Sequence, residues 1–158
     1  MRKLLKVGLV GLMSAGLLVG ASVPAHASQT YGFNVSTGYS EYVPNDGNAH
    51  AKGTITFHGR NAFTANIGVR DLCAPNGKGD GFGAYTDVRI RFMDGTQFAV
   101  YGAKDTNGCG TAFVWNKKYH QFGKRIRWVQ VLVHEIDAER NYNKDTGTSR
   151  LIDNPYTG

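Results

Sequence analysis

Residues 85–103 constrain this chain more than any other stretch. Val88, Ile90 and Phe92 alternate with Asp87, Arg89 and Arg91; beyond Asp94 and Gly95, Phe98 and Val100 alternate with Gln97, Ala99 and Tyr101. Alternation with a period of two marks a half-buried β-strand. Two such runs across a short Asp-Gly turn predict a β-hairpin. The register follows from the side chains. A two-residue loop would set Phe98 opposite Arg91 and mix apolar with charged residues on one face. A loop of Met93, Asp94 and Gly95 instead pairs Phe92 with Thr96, Ile90 with Phe98 and Val88 with Val100. Every large apolar residue then shares one face. A type I turn with Gly95 in the left-handed conformation is therefore predicted, because a slip of one residue would reverse both faces. The other face carries Tyr85, Asp87, Arg89, Arg91 and Tyr101.

The N-terminal residues carry an export pattern. Arg2, Lys3 and Lys6 precede an uncharged apolar run from Val7 to Gly20, and Ala25-His26-Ala27 follows with the small-x-small pattern of a cleavage site. This predicts a secretory signal over residues 1–27. The apolar run is short for a spanning helix, and no later segment is apolar for long enough, so no membrane span is expected after cleavage. Residues 28–158 remain as one domain of ordinary size. Removing the leader lowers the formal charge from +6 to +3, with 15 basic against 12 acidic residues. A mild positive charge favours weak attraction to polyanions without naming one. The only two cysteines, Cys73 and Cys109, flank the hairpin. In an oxidising compartment they are expected to pair.

The rest of the chain reads as more strands. Residues 28–42 open with one. Ala51, Gly53, Ile55 and Phe57 alternate with Lys52, Thr54, Thr56 and His58; after a turn at residues 59–61, Phe63, Ala65, Ile67 and Val69 continue the pattern. A short strand is expected over residues 111–115 and a loop over 116–124. Residues 125–137 form a strand covered on both faces, because Trp128 to Val133 is nearly continuous in apolar residues and its valines alternate. Trp128 is expected in the core. Residues 139–148 read as a polar turn and 148–152 as a closing strand. Seven or eight short strands without a helix predict an all-β, antiparallel, immunoglobulin-like β-sandwich, with a small β-barrel as the alternative.

The leader, the run GDGFGAY, the strand–Asp-Gly–strand unit, the run KDTNGCG and the terminal IDNPY together resemble small secreted β-proteins of actinobacteria. The resemblance covers most of residues 28–158. It implies secretion and a β fold. That group has no established activity, so the resemblance supplies no functional residues.

Motifs for catalysis are sparse. Neither Gly-x-Ser-x-Gly nor Ser-x-x-Lys occurs, and cysteines held in a disulfide are not nucleophiles. No catalytic, metal or cofactor assignment is made. His134-Glu135 matches half of a zinc-protease motif, but Ala138 stands where the second histidine belongs. Glu135, Asp137 and Glu139 would share one face of an extended strand, most simply as its solvated end. Asp105, Asn107 and the glycine after it, with Asp80 in the other loop, offer hard oxygens for calcium, yet they are also ordinary turn residues.

The richest candidate for binding is residues 115–128. From Thr106 to His134 there is no acidic residue, and Lys117, Lys118, Lys124, Arg125 and Arg127 are interleaved with Trp115, Tyr119, Phe122 and Trp128. Charge can hold an anionic polymer while aromatic rings stack on sugars or bases. Lys117, Lys118, Tyr119, His120 and Lys124 are the candidate ligand-binding residues here, with Arg89 and Tyr101 on the outer hairpin face. The expected partner is an anionic polysaccharide, a cell-wall polymer or an extracellular protein; nucleic acid suits an exported chain less well. Two rival functions are an inhibitor of a secreted hydrolase acting through the loop after Cys73, and a small hydrolase using His120, His134, Glu135 and Asp137.

Overall fold

Among the described residues, nine β-strands account for nearly all of the regular structure. The structure, a computed structural model, describes residues 27–38, 47–73, 82–110, 112–137 and 142–158. Residues 1–26 of the expected leader, residues 74–81 of the expected loop and Glu139 lie outside these. The strands are β1 (Gln29–Ser36), β2 (Asn48–Phe57), β3 (Ala62–Leu72), β4 (Phe82–Phe92), β5 (Gln97–Asp105), β6 (Val114–Gln121), β7 (Ile126–Asp137), β8 (Tyr142–Thr148) and β9 (Ile152–Asp153). They form two antiparallel sheets, a four-stranded one in the order β1-β2-β3-β6 and a five-stranded one in the order β5-β4-β7-β8, with β9 also on β7. The sheets pack as a sandwich and do not close into the alternative barrel.

The core follows from strand alternation. Ile55, Phe57, Phe63, Ile67 and Val69 point inward from one sheet, and Val88, Ile90, Val129, Val131 and Val133 from the other; all are buried. The central hairpin has the register expected from its sequence: Val88 pairs with Val100 and Ile90 with Phe98. Its turn closes through Phe92 N–H to Thr96 O (3.0 Å) and Gly95 N–H to Phe92 O (3.1 Å). Gly95 has φ of 85°, the left-handed region that the bulge requires. Cys73, after β3, is bonded to Cys109, after β5, with Cα atoms 4.6 Å apart. The disulfide thus staples one sheet to the other.

Several expectations need correction. The closing strand expected over 148–152 is not one element: β8 ends at Thr148 and β9 is Ile152–Asp153. Residues 116–121, read as loop, belong to β6, and much of the supposed turn at 139–148 is β8. Both are edge strands; one or both of their faces lack cover, so their sequences do not alternate apolar with polar. Their backbones are held by the ladders to β3 and β7. Phe98 shares the inward face of the hairpin, as its register predicts, but on the edge strand β5 it is 54% exposed. Trp128 is not core: it lies on the outer parity of β7, half-buried between Arg91 and Asp153. Glu135 is no solvated strand end, for it is fully buried opposite Ala84.

Candidate functional site

Strand alternation divides residues 115–121 between two surfaces. Trp115, Lys117 and Tyr119 stand on the outer face of the four-stranded sheet, in register with Gly68, Asn66 and Thr64 of β3. Lys118 and His120 take the opposite parity, beside Ala65 and Phe63. His120 lies 5.1 Å from the Phe63 ring, and burial, then the Lys118 charge, holds its pKa below the ordinary value. Lys124 sits in the turn after β6. Its ammonium lies 2.8 Å from Asp94 Oδ2 and donates to Thr96 Oγ1 at 3.1 Å. Lys124 first, then the Thr96 hydroxyl and N–H, hold the Asp94 carboxyl well below the usual carboxylate range. The charge of Lys124 is therefore already paired. Arg89 and Tyr101 lie on the outer face of the other sheet, on the far side of the sandwich. The seven candidate residues do not form one site.

The outer face of the four-stranded sheet gathers other residues around Trp115, Lys117 and Tyr119. The ladders set Asn34, Lys52, Gly68 and Trp115 in one row and Thr30, Thr56, Thr64 and Tyr119 in another. Trp115 lies flat on the sheet, since a Cβ on Gly68 would stand 2.8–2.9 Å from its ring atoms. The far side of the indole stays open, and Trp115 is 52% and Tyr119 55% exposed. Four residues apart on one strand, they are about 13 Å from each other. Phe113 carries two cations, with Lys52 Nζ 4.3 Å and Arg70 Cζ 4.6 Å from its ring centroid. Arg70 donates to His50 Nδ1 from Nε (3.3 Å) and Nη2 (3.1 Å). That nitrogen must then present a lone pair, so the imidazole proton sits on Nε2 and faces Asn34 Oδ1. Burial first, then the charges of Arg70 and Lys52, lower the His50 pKa. Among the described residues this face carries no carboxylate.

The face was only partly legible in advance. Lys52, Thr54, Thr56 and His58 were visible as a polar row, but nothing local showed that they lie beside Trp115 and Lys117. That neighbourhood comes from β3 pairing with β6, strands far apart in the chain, from Ala62 with Gln121 to Val69 with Val114.

The outer face of the five-stranded sheet differs. Arg89 and Arg91 share it with Asp87, Asp153, Tyr101 and Trp128. Burial, then the nearby Asp87, raises the Tyr101 pKa. His134 stacks on Tyr85 with ring centroids 4.5 Å apart, places Nδ1 2.8 Å from Thr146 Oγ1, and has Nε2 3.5 Å from Asp87 Oδ2. His134 faces outward and its neighbour Glu135 inward, as adjacent strand residues must. The two do not converge on a common reactant, and His120 is in the other sheet. The loop Asp105 carboxylate, buried, accepts from the N–H groups of Asp71 (3.2 Å) and Asn107 (3.1 Å) and so ties the turn to β3. Among the described residues no three His, Cys, Asp or Glu side chains are grouped to hold a metal ion. The loop expected for an inhibitor spans residues 74–83; Phe82 and Gly83 belong to β4, and residues 74–81, Asp80 among them, fall outside the described residues. No family model, curated protein or solved structure matches the chain.

Proposed function

We propose that the chain is an exported binding protein whose ligand is an anionic extracellular polymer, a polysaccharide or cell-wall polymer, held on the outer face of the four-stranded sheet. The observation that carries this is the composition of that face: Trp115 and Tyr119 lie open along one strand among Lys52, Arg70 and Lys117, with no carboxylate among the described residues. Export is supported by the leader pattern at residues 1–27 and agrees with the disulfide. No helix among the described residues is long and apolar enough to cross a membrane.

The physics of such a face is additive along a chain ligand. The cations displace counterions from the polymer, which makes binding weaken as salt rises. Trp115, pressed on Gly68, offers a rigid ring to the apolar side of a sugar, so little side-chain freedom is lost on contact. Tyr119 repeats that contact farther along the strand. Binding rather than turnover is the reading because His50 is engaged by Arg70 and Asn34 rather than by an acid.

Equilibrium binding to a polyuronate and to a neutral glucan tests the reading. The expected result is retention by the polyuronate alone, falling with salt. Trp115→Ala should weaken it about tenfold or more, on the scale of one lost aromatic stack. Equal retention by both polymers, or binding indifferent to Trp115, would overturn it.

A further inference from the structure

The free edge of β5 has a character unlike the other sheet edges. Residues 97–103, QFAVYGA, contain no charge and no proline, although both are the usual protection of an exposed edge. The β6 edge carries Lys117 and Lys118, and β8 carries Asp145. The uncharged β1 is flanked at one end by β8, where a Cβ on Gly147 would stand 2.1 Å from Ser36 O. Among the described residues nothing comparable covers β5 between Gln97 and Tyr101.

The hairpin register says which backbone groups are free. Phe92 and Thr96 bond to each other across the turn. Pairs then alternate along an antiparallel ladder, so Ile90–Phe98 and Val88–Val100 are the bonded pairs. Gln97, Ala99 and Tyr101 therefore aim their N–H and C=O groups away from β4. The stretch ends at a bulge, where Thr86 Oγ1 takes the N–H of Ala103 (2.7 Å) and Asn116 donates to Gly102 O. Beside it, Phe98 overhangs a groove of about 310 Å³ floored by Phe92 and Phe122. Among the described residues six large apolar side chains are about half exposed, and Met93, Phe98 and Tyr101 of this hairpin are three of them.

We infer that this edge pairs with the same edge of a second copy, joining two five-stranded sheets about a two-fold axis at Ala99. The stretch is self-complementary in that register. Ala99, the smallest side chain of the run apart from glycine, meets Ala99 on the axis. Gln97 of one copy lies beside Tyr101 of the other, and Phe98 beside Val100, so the apolar face continues across the join and shields Phe98. The three outward residues of each copy exchange about six backbone hydrogen bonds. An isologous contact of this kind closes on itself as a dimer rather than growing into a fibre. It leaves both four-stranded faces uncovered.

Sedimentation of the purified, disulfide-bonded protein over a micromolar to submillimolar series tests the inference. The wild type should double in mass as concentration rises, with the amides of Ala99 and Tyr101 gaining protection from exchange. Ala99 is exposed and uses no bond within its own sheet, so Ala99→Lys and Ala99→Glu should each fold and stay monomeric, by like charge on the axis. An equimolar mixture of the two should recover the dimer. A wild type monomeric throughout overturns the inference, as does Ala99→Lys assembling like the wild type. A mixture that stays monomeric overturns the two-fold register at Ala99.

Discussion

The two outer faces of the sandwich are built by the same rule and come out differently. On each, every second residue of an antiparallel sheet faces solvent. The five-stranded face balances Arg89 and Arg91 with Asp87 and Asp153, and folds its aromatic residues in: Tyr85 stacks on His134, and Trp128 is half-buried. The four-stranded face has cations without acids among its described residues, and Trp115 and Tyr119 open to solvent. Net charge is therefore a poor guide to this molecule. Among the described residues, Lys52, Arg70 and Lys117 share the four-stranded face without an acid.

The comparison can be broken in several ways, the largest effect first. Removing the disulfide by Cys73→Ser with Cys109→Ser should cost about 4 kcal/mol, from the loop that a separation of 36 residues closes. Denaturant melts would read the loss, while the two faces of the still-folded fraction keep their difference in polymer binding. Next comes Gly68→Ala. The new Cβ forces the Trp115 ring off the sheet. That ring is largely exposed and can move, so melting temperature should hold while affinity for a polyuronate falls several-fold. Neutralising Lys52 and Lys117 to Gln should reduce the slope of log affinity against log salt by up to about one per cation. Arg89→Gln with Arg91→Gln, on the balanced face, should leave that slope alone.

The smallest expected effect is with pH. His50 and His120 have folded pKa values below the ordinary 6.5. The unfolded chain therefore binds more protons as pH falls below that value, and stability drops on acidification. Chemical melts through this range should show the decline, and His50→Gln with His120→Gln should flatten it.

Where the sequence was legible, one physical rule decided the matter. In the hairpin, alternation and the Asp-Gly turn left a single register with the apolar residues together, and that register is observed. The paired cysteines and the sandwich followed from equally local signals. The edges were not legible. β6 and β8 have faces without cover, so hydrophobicity does not alternate along them, and only partner strands reveal them as strands. The same limit hid the candidate face. Trp115, Lys117 and Tyr119 could be picked out, but Lys118 and His120 on the other side of that strand looked equivalent to them until β6 was known to be extended. Lys52 and Arg70 join the site through two strand pairings that leave no mark in either segment alone.

The division of labour between the faces is tested most directly by titrating the isotope-labelled protein with a short polyuronate and following its amide resonances. The expected shifts fall on Lys52, Asn66, Trp115 and Lys117, with Arg89, Arg91 and Tyr101 unmoved. Shifts centred on Arg89 and Tyr101, or none at ligand concentrations where the polymer is retained, would contradict the account.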